Sequence, residues 1–357
     1  MVVDGGWIRV GLLGATGLVG QRIIRFLEPH RTLRVVRVGA SGRSVGRPYL
    51  KAAQWSLPGD PPADVEDWTV VACEPEAFED CDVVLSGLDA TTGLDVEGRF
   101  AAAGHVVVSN SSAYRMAPDV PLVVPEVNGS HVRLVENRPP GRGCIITNPN
   151  CSVTGLALAL APLHRAFGVR QVVVSTLQAI SGAGVEGPRA LHLTDNVIPF
   201  IAGEEDKIET ELGKILGVVV DGTVEAAPIA VSAHCHRVPT IDGHLEAVSV
   251  GLGMRVAAAD AIAALRGFRG EVADLALPSA PVPPIVVREE DDRPQPRYDR
   301  DAGGGMAVTV GRVRSCPVLD LRLELLSHNT IRGAAGAAVL NAELLAARGV
   351  IGPRGRR

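Results

Sequence analysis

Aromatic residues are scarce in this chain, 3% of 357 against 46% apolar residues in all. Any core must therefore be aliphatic, as in an ordinary globular α/β enzyme long enough for two domains. An excess of positive charge is missing too. With 35 basic side chains against 40 acidic ones the formal charge is −5, which offers no broad positive field to nucleic acid or an anionic membrane surface. No apolar run approaches a membrane-spanning length, and Met1-Val2-Val3-Asp4-Gly5-Gly6-Trp7 has neither a basic n-region nor an apolar h-region. The expectation is a cytoplasmic protein with no nucleic-acid partner and no membrane partner. The six cysteines, Cys73, Cys81, Cys144, Cys151, Cys235 and Cys316, form no CxxC pair and no small-domain framework, which predicts free thiols. There is no internal repeat or low-complexity linker, and the basic tail Arg354-Gly355-Arg356-Arg357 reads as a solvated end.

What is present begins with a short buried strand over 8–13, running directly into Gly14-Ala15-Thr16-Gly17-Leu18-Val19-Gly20 and a helix through Leu27. In this GxxGxxG spacing the first two glycines allow tight turning and close approach of a pyrophosphate, and the third lets helix and strand pack. A second strand over 33–38 sits at βαβ spacing. Further strands over 82–86 and 105–109 flank a helix predicted from 96 to 103. Together they predict a Rossmann-like, doubly wound parallel sheet over residues 1–150. NAD sites usually carry an Asp or Glu after the second strand, but here the text is Gly39-Ala40-Ser41-Gly42-Arg43-Ser44. Arg43 between the hydroxyls of Ser41 and Ser44 would welcome a 2′-phosphate, which favours NADP; the alternative is that Arg43 is a solvated loop residue.

A second, α+β domain is predicted over 151–328, with strands at 170–176, 229–233, 245–250 and 319–325 forming a mixed or antiparallel sheet. The stretch 278–305 is rich in Pro, Gly and acid and reads as a long irregular loop, with Glu289-Glu290-Asp291-Asp292 a solvated surface rather than a metal site. The Ala-rich 329–348 is helical by propensity, broken by Gly333 and Gly336. It is expected to pack back on the first domain, completing it with a helix over 329–349.

Within Thr147-Asn148-Pro149-Asn150-Cys151-Ser152, Cys151 stands where a loop opens an apolar helix. Unpaired N–H groups and the helix dipole there lower a thiol's pKa and can cradle an oxyanion, which makes Cys151 a candidate nucleophile; a buried small hydrophobe is the alternative. His244 lies in a turn-rich link between strands and could serve as a base, while Arg237 could clamp a carboxylate. Glu211 and Lys214 are i,i+3 neighbours on a helix, a spacing equally suited to a surface ion pair. His234 and His236 share a strand face but have no third ligand at useful spacing, so no metal is expected. His131 and His164 stand without evident partners and read as structural or exposed.

The ordered motifs resemble the aspartate-semialdehyde dehydrogenases, in the archaeal and fungal branch. They are Gly14-Ala15-Thr16-Gly17-Leu18-Val19-Gly20, Pro121-Leu122-Val123-Val124-Pro125-Glu126-Val127-Asn128, Asn148-Pro149-Asn150-Cys151-Ser152, Gln178-Ala179-Ile180-Ser181-Gly182-Ala183-Gly184, Gly203-Glu204-Glu205-Asp206-Lys207-Ile208-Glu209, and Arg237-Val238-Pro239 through Gly243-His244. The resemblance implies Cys151 as nucleophile, His244 as general acid/base, Gln178 orienting the substrate, and Asn150 among the catalytic residues. It further implies Arg237 for the substrate carboxylate, Glu211 for its ammonium group, and Lys214 and Arg115 for phosphate. Ser181 and Gly182 join the Gly14–Gly20 turn and Ser41, Arg43 and Ser44 in binding the cofactor. The implied reaction is NADPH-dependent reduction of L-aspartyl-4-phosphate to L-aspartate 4-semialdehyde with release of phosphate, by a homodimer or homotetramer. Competing expectations are an acyl-CoA reductase such as a malonyl-CoA reductase, a specialised biosynthetic paralogue, and a non-catalytic NADP-sensing protein.

Overall fold

Short runs of valine and leucine bounded by glycine turns build the first sheet. In this computed structural model, which describes residues 6–136, 138–139, 141–184, 187 and 190–353, the strands are β1 (Ile8–Leu13), β2 (Leu33–Ala40), β3 (Val71–Ala72), β4 (Val83–Ser86), β5 (Val106–Ser109) and β6 (Cys144–Thr147). The sequence readings at residues 1–5 and at the 354–357 tail lie outside the described residues. The sheet runs β3-β2-β1-β4-β5-β6, parallel throughout. Its interior strands β4 and β5 are buried on both faces, as parallel strands under two helix layers must be. Helix α1 (Leu18–Leu27) follows β1, and α2 (Ala90–Ala102) follows β4. The latter starts six residues before the predicted 96, because Asp89 caps it by accepting from the Thr91 and Thr92 N–H groups.

The second sheet runs β10-β7-β11-β14-β13-β12. Its strands are β7 (Val169–Gln178), β10 (Ala230–Arg237), β11 (His244–Leu252), β12 (Ile285–Val287), β13 (Val308–Ser315) and β14 (Leu321–Ser327), with β8 (Val218–Val220) and β9 (Thr223–Glu225) forming a separate hairpin. Pairing is parallel for β7–β10 and β12–β13 and antiparallel elsewhere, so the sheet is mixed. Period-2 alternation makes it two-faced. Val172 and Val174 of β7 and Val248 and Val250 of β11 pack under helices α3 (Cys151–Phe167) and α4 (Glu204–Ile215), while Val173 and Leu177 are exposed on the other face.

The expectation of a structureless loop over 278–305 is corrected. The stretch holds β12, and the unanticipated β13 follows it. The organiser is Asp299, a buried carboxylate that accepts from Arg288 Nε at 3.1 Å, Arg293 Nε at 2.6 Å and the Gln295 N–H at 2.7 Å. Residues 289–292 are exposed. The chain ends in a π-helical turn, Ile331–Ala335, leading into α5 (Gly336–Ala347), which has no polar face and shares a core with Val10, Leu12 and Ile23 of the first sheet layer.

Candidate active site

Cys151 is the first residue of α3, delivered there by β6 and the three residues after it. Asn150 caps the helix, its Oδ1 accepting from Ser152 N at 2.9 Å and Val153 N at 3.4 Å. Facing the helix start is one row of side chains across the second sheet. Arg237 on β10 pairs with Gln178 on β7, and His244 on β11 pairs with Ser327 on β14.

His244 Nε2 stands 3.2 Å from Cys151 Sγ, and its Nδ1 accepts the Ala179 N–H at 3.0 Å. Gly182 lies over this pair: a Cβ there would come 2.9 Å from Arg237 Nη1 and 3.2 Å from His244 Cε1. Burial, with Arg237 adding to it, pulls the imidazole down to about 3. Burial and the Glu204 charge push the Cys151 thiol up to about 12, against the opposing pull of Arg115, Arg237 and the Ser152 N–H. The lowered thiol pKa expected from the helix N-terminus is therefore corrected. The helix end does act in that direction, but desolvation outweighs it.

A cavity of about 510 Å³ opens at Cys151 and reaches Gly17, Leu18 and Val19 at the start of α1, with Arg115, Ser181 and Gly182 on its walls. Behind it Gly14 takes φ +69°, and a Cβ on Gly20 would come 2.5 Å from Gly14 O, so this turn tolerates no side chain at either position. Ser41, Arg43 and Ser44 form a turn after β2, closed by Ser44 N to Ser41 O at 2.8 Å, with Arg43 exposed.

Glu211 and Lys214 stand beside the cavity, bonded to residues around it rather than lining it. Glu211 accepts from Arg115 Nη1 at 2.9 Å and from the Asn150 N–H at 2.6 Å. Lys214 donates to the carbonyls of Arg115, Ala117 and Val120 at 2.7, 2.6 and 2.8 Å. That uses all three hydrogens of its ammonium, and burial pulls it down to about 8. Glu204 and Lys207, the same i,i+3 spacing two turns earlier on α4, line the cavity, paired at 2.8 Å. Glu204 also accepts from Asn150 Nδ2 at 2.8 Å and Gln178 Nε2 at 3.3 Å. Burial alone would raise its carboxyl, but Lys207, Asn150 and Gln178 hold it below the usual range.

The sequence reading also missed Asn329, Thr330 and Gly333, which line the same cavity. A Cβ on Gly333 would meet Cys151 Cβ at 2.6 Å; the only signal in the sequence was a glycine interrupting a helical stretch. His131 and His164 have partners after all. His131 is buried between Asn128 Nδ2 at 3.1 Å and Gly217 O at 3.2 Å, and His164 Nδ1 accepts from Val169 N at 3.2 Å. Among the described residues no group of three His, Cys, Asp or Glu side chains could hold a metal ion, and the six cysteines are free thiols.

Two family models match this chain. "Semialdehyde dehydrogenase, NAD binding domain" covers residues 9–135, and "Semialdehyde dehydrogenase, dimerisation domain" covers residues 160–332. The aspartate-semialdehyde dehydrogenase of Methanothermobacter thermautotrophicus is 49% identical over 343 residues, 95% of this chain and 99% of its own length. That of Schizosaccharomyces pombe is 44% identical over 355 residues, 96% and 99% of the two chains. The crystal structure of aspartate semialdehyde dehydrogenase with NADP from Candida albicans superimposes with a TM-score of 0.91 at 44% identity, covering 97% of this chain and all of that one. With a cysteine–histidine pair at the cavity and relatives of one kind, archaeal and fungal, along nearly its whole length, the chain belongs to the aspartate-semialdehyde dehydrogenase family.

Proposed function

We propose that this protein reduces L-aspartyl-4-phosphate to L-aspartate 4-semialdehyde, with NADPH as reductant and a thioester on Cys151 as intermediate, in aspartate-family amino-acid biosynthesis. The observation that carries the reading is the 3.2 Å contact of Cys151 Sγ with His244 Nε2, at one end of a cavity whose other end is the glycine turn at α1. Cys151 attacks the acyl carbon, and the N–H groups at the start of α3 stabilise the oxyanion. Residues 1–150 with 329–349 serve as the NADP-holding unit, and 151–328 as the catalytic and dimerisation unit.

Arg237 takes the substrate carboxylate. The ammonium group goes to Glu204, whose carboxylate is kept ionised, and Gln178, bonded to Glu204, orients the substrate between them. Arg115 and Lys207 bind the phosphoryl group; Arg115 brings a buried Nε with no hydrogen-bond partner among the described residues. Glu211 and Lys214 act one layer back, fixing Asn150, Arg115 and the chain that carries Arg115. Lys207→Ala is expected to raise KM for phosphate at least about tenfold, since one charge-assisted contact contributes about 1.5–3 kcal/mol when intact, with little change in KM for the semialdehyde; initial-rate kinetics in the oxidative direction measure both.

The residues fit a dinucleotide carrying a 2′-phosphate. The Gly14–Gly20 turn leaves its backbone open to a pyrophosphate, and Arg43 stands exposed after β2 with no carboxylate near it in sequence. Once bound, the nicotinamide supplies the hydride to the acyl carbon. Arg43→Glu should lower NADP affinity at least tenfold and leave NAD affinity nearly unchanged, because it turns an attraction for the 2′-phosphate into a repulsion worth about 1.4 kcal/mol or more; fluorescence titration with the two cofactors tests this.

The exposed face of the second sheet, with Val173 and Leu177, supports a homodimer or homotetramer, and light scattering of the purified protein should find no monomer. No described helix is long and apolar enough to cross a membrane. The decisive assay is phosphate-dependent NADPH formation from L-aspartate semialdehyde and NADP. Activity requiring phosphate supports the reading; a folded, NADP-binding protein that is silent here but reduces malonyl-CoA would replace it with the acyl-CoA reductase reading.

A further inference from the structure

Glu246 lies on β11, two residues after His244 and on the same face of the strand, and it is fully buried. Both of its carboxyl oxygens lack a hydrogen-bond partner among the described residues, and so do the buried hydroxyls of Ser152 on α3 and Ser327 on β14. Buried polar groups rarely go unpaired, and three such groups around one strand crossing call for a common cause. We propose that Glu246 is a positioning residue: as an un-ionised carboxylic acid it joins the Ser152 and Ser327 hydroxyls, and so fixes the start of α3, with Cys151, against the strand that carries His244. This rests on the reaction proposed above.

Strand register brings the three groups together. In the row that faces Cys151, His244 is opposite Ser327. The next row on the same face runs from Cys235 on β10 through Thr176 on β7 and Glu246 on β11 to Leu325 on β14. Glu246 is thus diagonal to Ser327, a separation of about 7–8 Å that a long side chain spans. The helix closes the triangle from above. Ser152 follows Cys151 and is three residues before Gly155, so the two share one side of α3. A Cβ on Gly155 would come 2.7 Å from Ser327 Cβ and 3.4 Å from Leu325 Cδ1, so α3 presses directly on β14 where Ser327 and Leu325 stand.

The surroundings decide the state of the carboxyl. The titratable and charged groups on this side of the sheet are His244 on its own strand, Cys235 and Arg237 from β10, Cys151 from α3, and Glu204 and Glu205 from α4. The one guanidinium among them, Arg237, donates to Ala179 O, and no cation is bonded to Glu246. Burial raises the carboxyl well above the usual carboxylate range. A neutral carboxylic acid has one O–H to give and keeps an oxygen that accepts, which suits two hydroxyls, each able to do either. Ionised, it would set a second negative charge, beside that of Glu204, against the thiolate that the reaction needs.

The test is infrared difference spectroscopy on the full-length enzyme, wild type minus Glu246→Gln, read at the C=O stretch of an un-ionised carboxylic acid. The band is expected to persist from about pH 5 to pH 9, where an ordinary glutamate, with a pKa of about 4.3, is ionised. Phosphate-dependent NADPH formation supplies the second readout. Glu246→Leu fills the space but bonds to neither hydroxyl; it should lower kcat by about 10- to 100-fold, the scale set by a misplacement of about 1 Å. KM for the semialdehyde should stay within about twofold, a split that general loosening of the fold would not give. Glu246→Gln, whose amide donates and accepts, should keep kcat within about threefold of wild type. Ser152→Ala combined with Ser327→Ala should lower kcat as the leucine variant does, so the inference does not depend on the folding of either one. An ionised Glu246 in that pH range would overturn it, as would a folded leucine variant or double alanine variant with wild-type kcat, or a glutamine variant no better than leucine. A wild-type protein silent on the semialdehyde that reduces malonyl-CoA would overturn the proposed reaction instead, and the same variants compared on malonyl-CoA would then decide the role of Glu246.

Discussion

Replacing Cys151 with alanine is expected to abolish phosphate-dependent NADPH formation and to leave NADP affinity within about twofold of wild type, because the substitution removes the proposed carrier of the acyl chain. The sulfur belongs to α3 at the second sheet, whereas the Gly14–Gly20 turn belongs to the first. Assays of NADPH formation and calorimetric titration with NADP separate the two effects, and loss of both together would count against the assigned division of labour. The same thiol gives a pH dependence. Only the thiolate is alkylated, and burial pushes this thiol up to about 12, above the ordinary value of about 8.5. At neutral pH less of it is ionised than of a free cysteine, so iodoacetamide should modify Cys151 slowly without substrate, and faster with each step of pH through the alkaline range. An alkylation rate that levels off below about pH 8 would show the helix end prevailing over burial.

Arg332→Leu should produce the largest loss of stability. Arg332 and Glu126 are both buried and joined by two bonds, of 2.7 and 2.6 Å. Truncating the cation strands a carboxylate away from water, at a cost of about 3–5 kcal/mol, whereas an exposed pair such as Arg34 with Asp64 is worth at most about 1 kcal/mol. The pair ties the π-helical turn to the Pro125–Asn128 helix, and the next residue in that turn is Gly333, packed on Cys151. Activity should therefore fall with stability. Combining Arg332→Met with Glu126→Leu should restore most of the lost Tm, since no buried charge is then left unpaired. A single variant that melts with the wild type would refute the argument.

The two pairs on α4 show where sequence reasoning stops. Glu204 with Lys207 and Glu211 with Lys214 have identical spacing, and a seven-residue offset returns nearly to the same helix face. Periodicity could say that both pairs look the same way, but not which end of the helix meets the cavity. That depended on Asn150, whose Nδ2 reaches Glu204 Oε2 while its N–H reaches Glu211 Oε2. Asp299 is a similar case: a carboxylate buried by three arginine and backbone donors is indistinguishable, in sequence, from the exposed acids just before it.

By itself the sequence determined the local chemistry: the glycine turn after β1, the cap and cysteine opening α3, the alternating strands of the second sheet, and the order of motifs that marks the family. These depend on neighbours within a few residues, where backbone geometry and periodicity act. The tertiary structure decided the state of the groups those motifs carry. The raised pKa of the Cys151 thiol, the bond from the Ala179 N–H to His244, the bonds of Glu204 and Glu211 to Asn150 and the contact of Gly333 with Cys151 arise from burial and from bonds between residues far apart in the chain. Desolvation and hydrogen-bond partners are properties of the assembled site, and no spacing in the sequence encodes them.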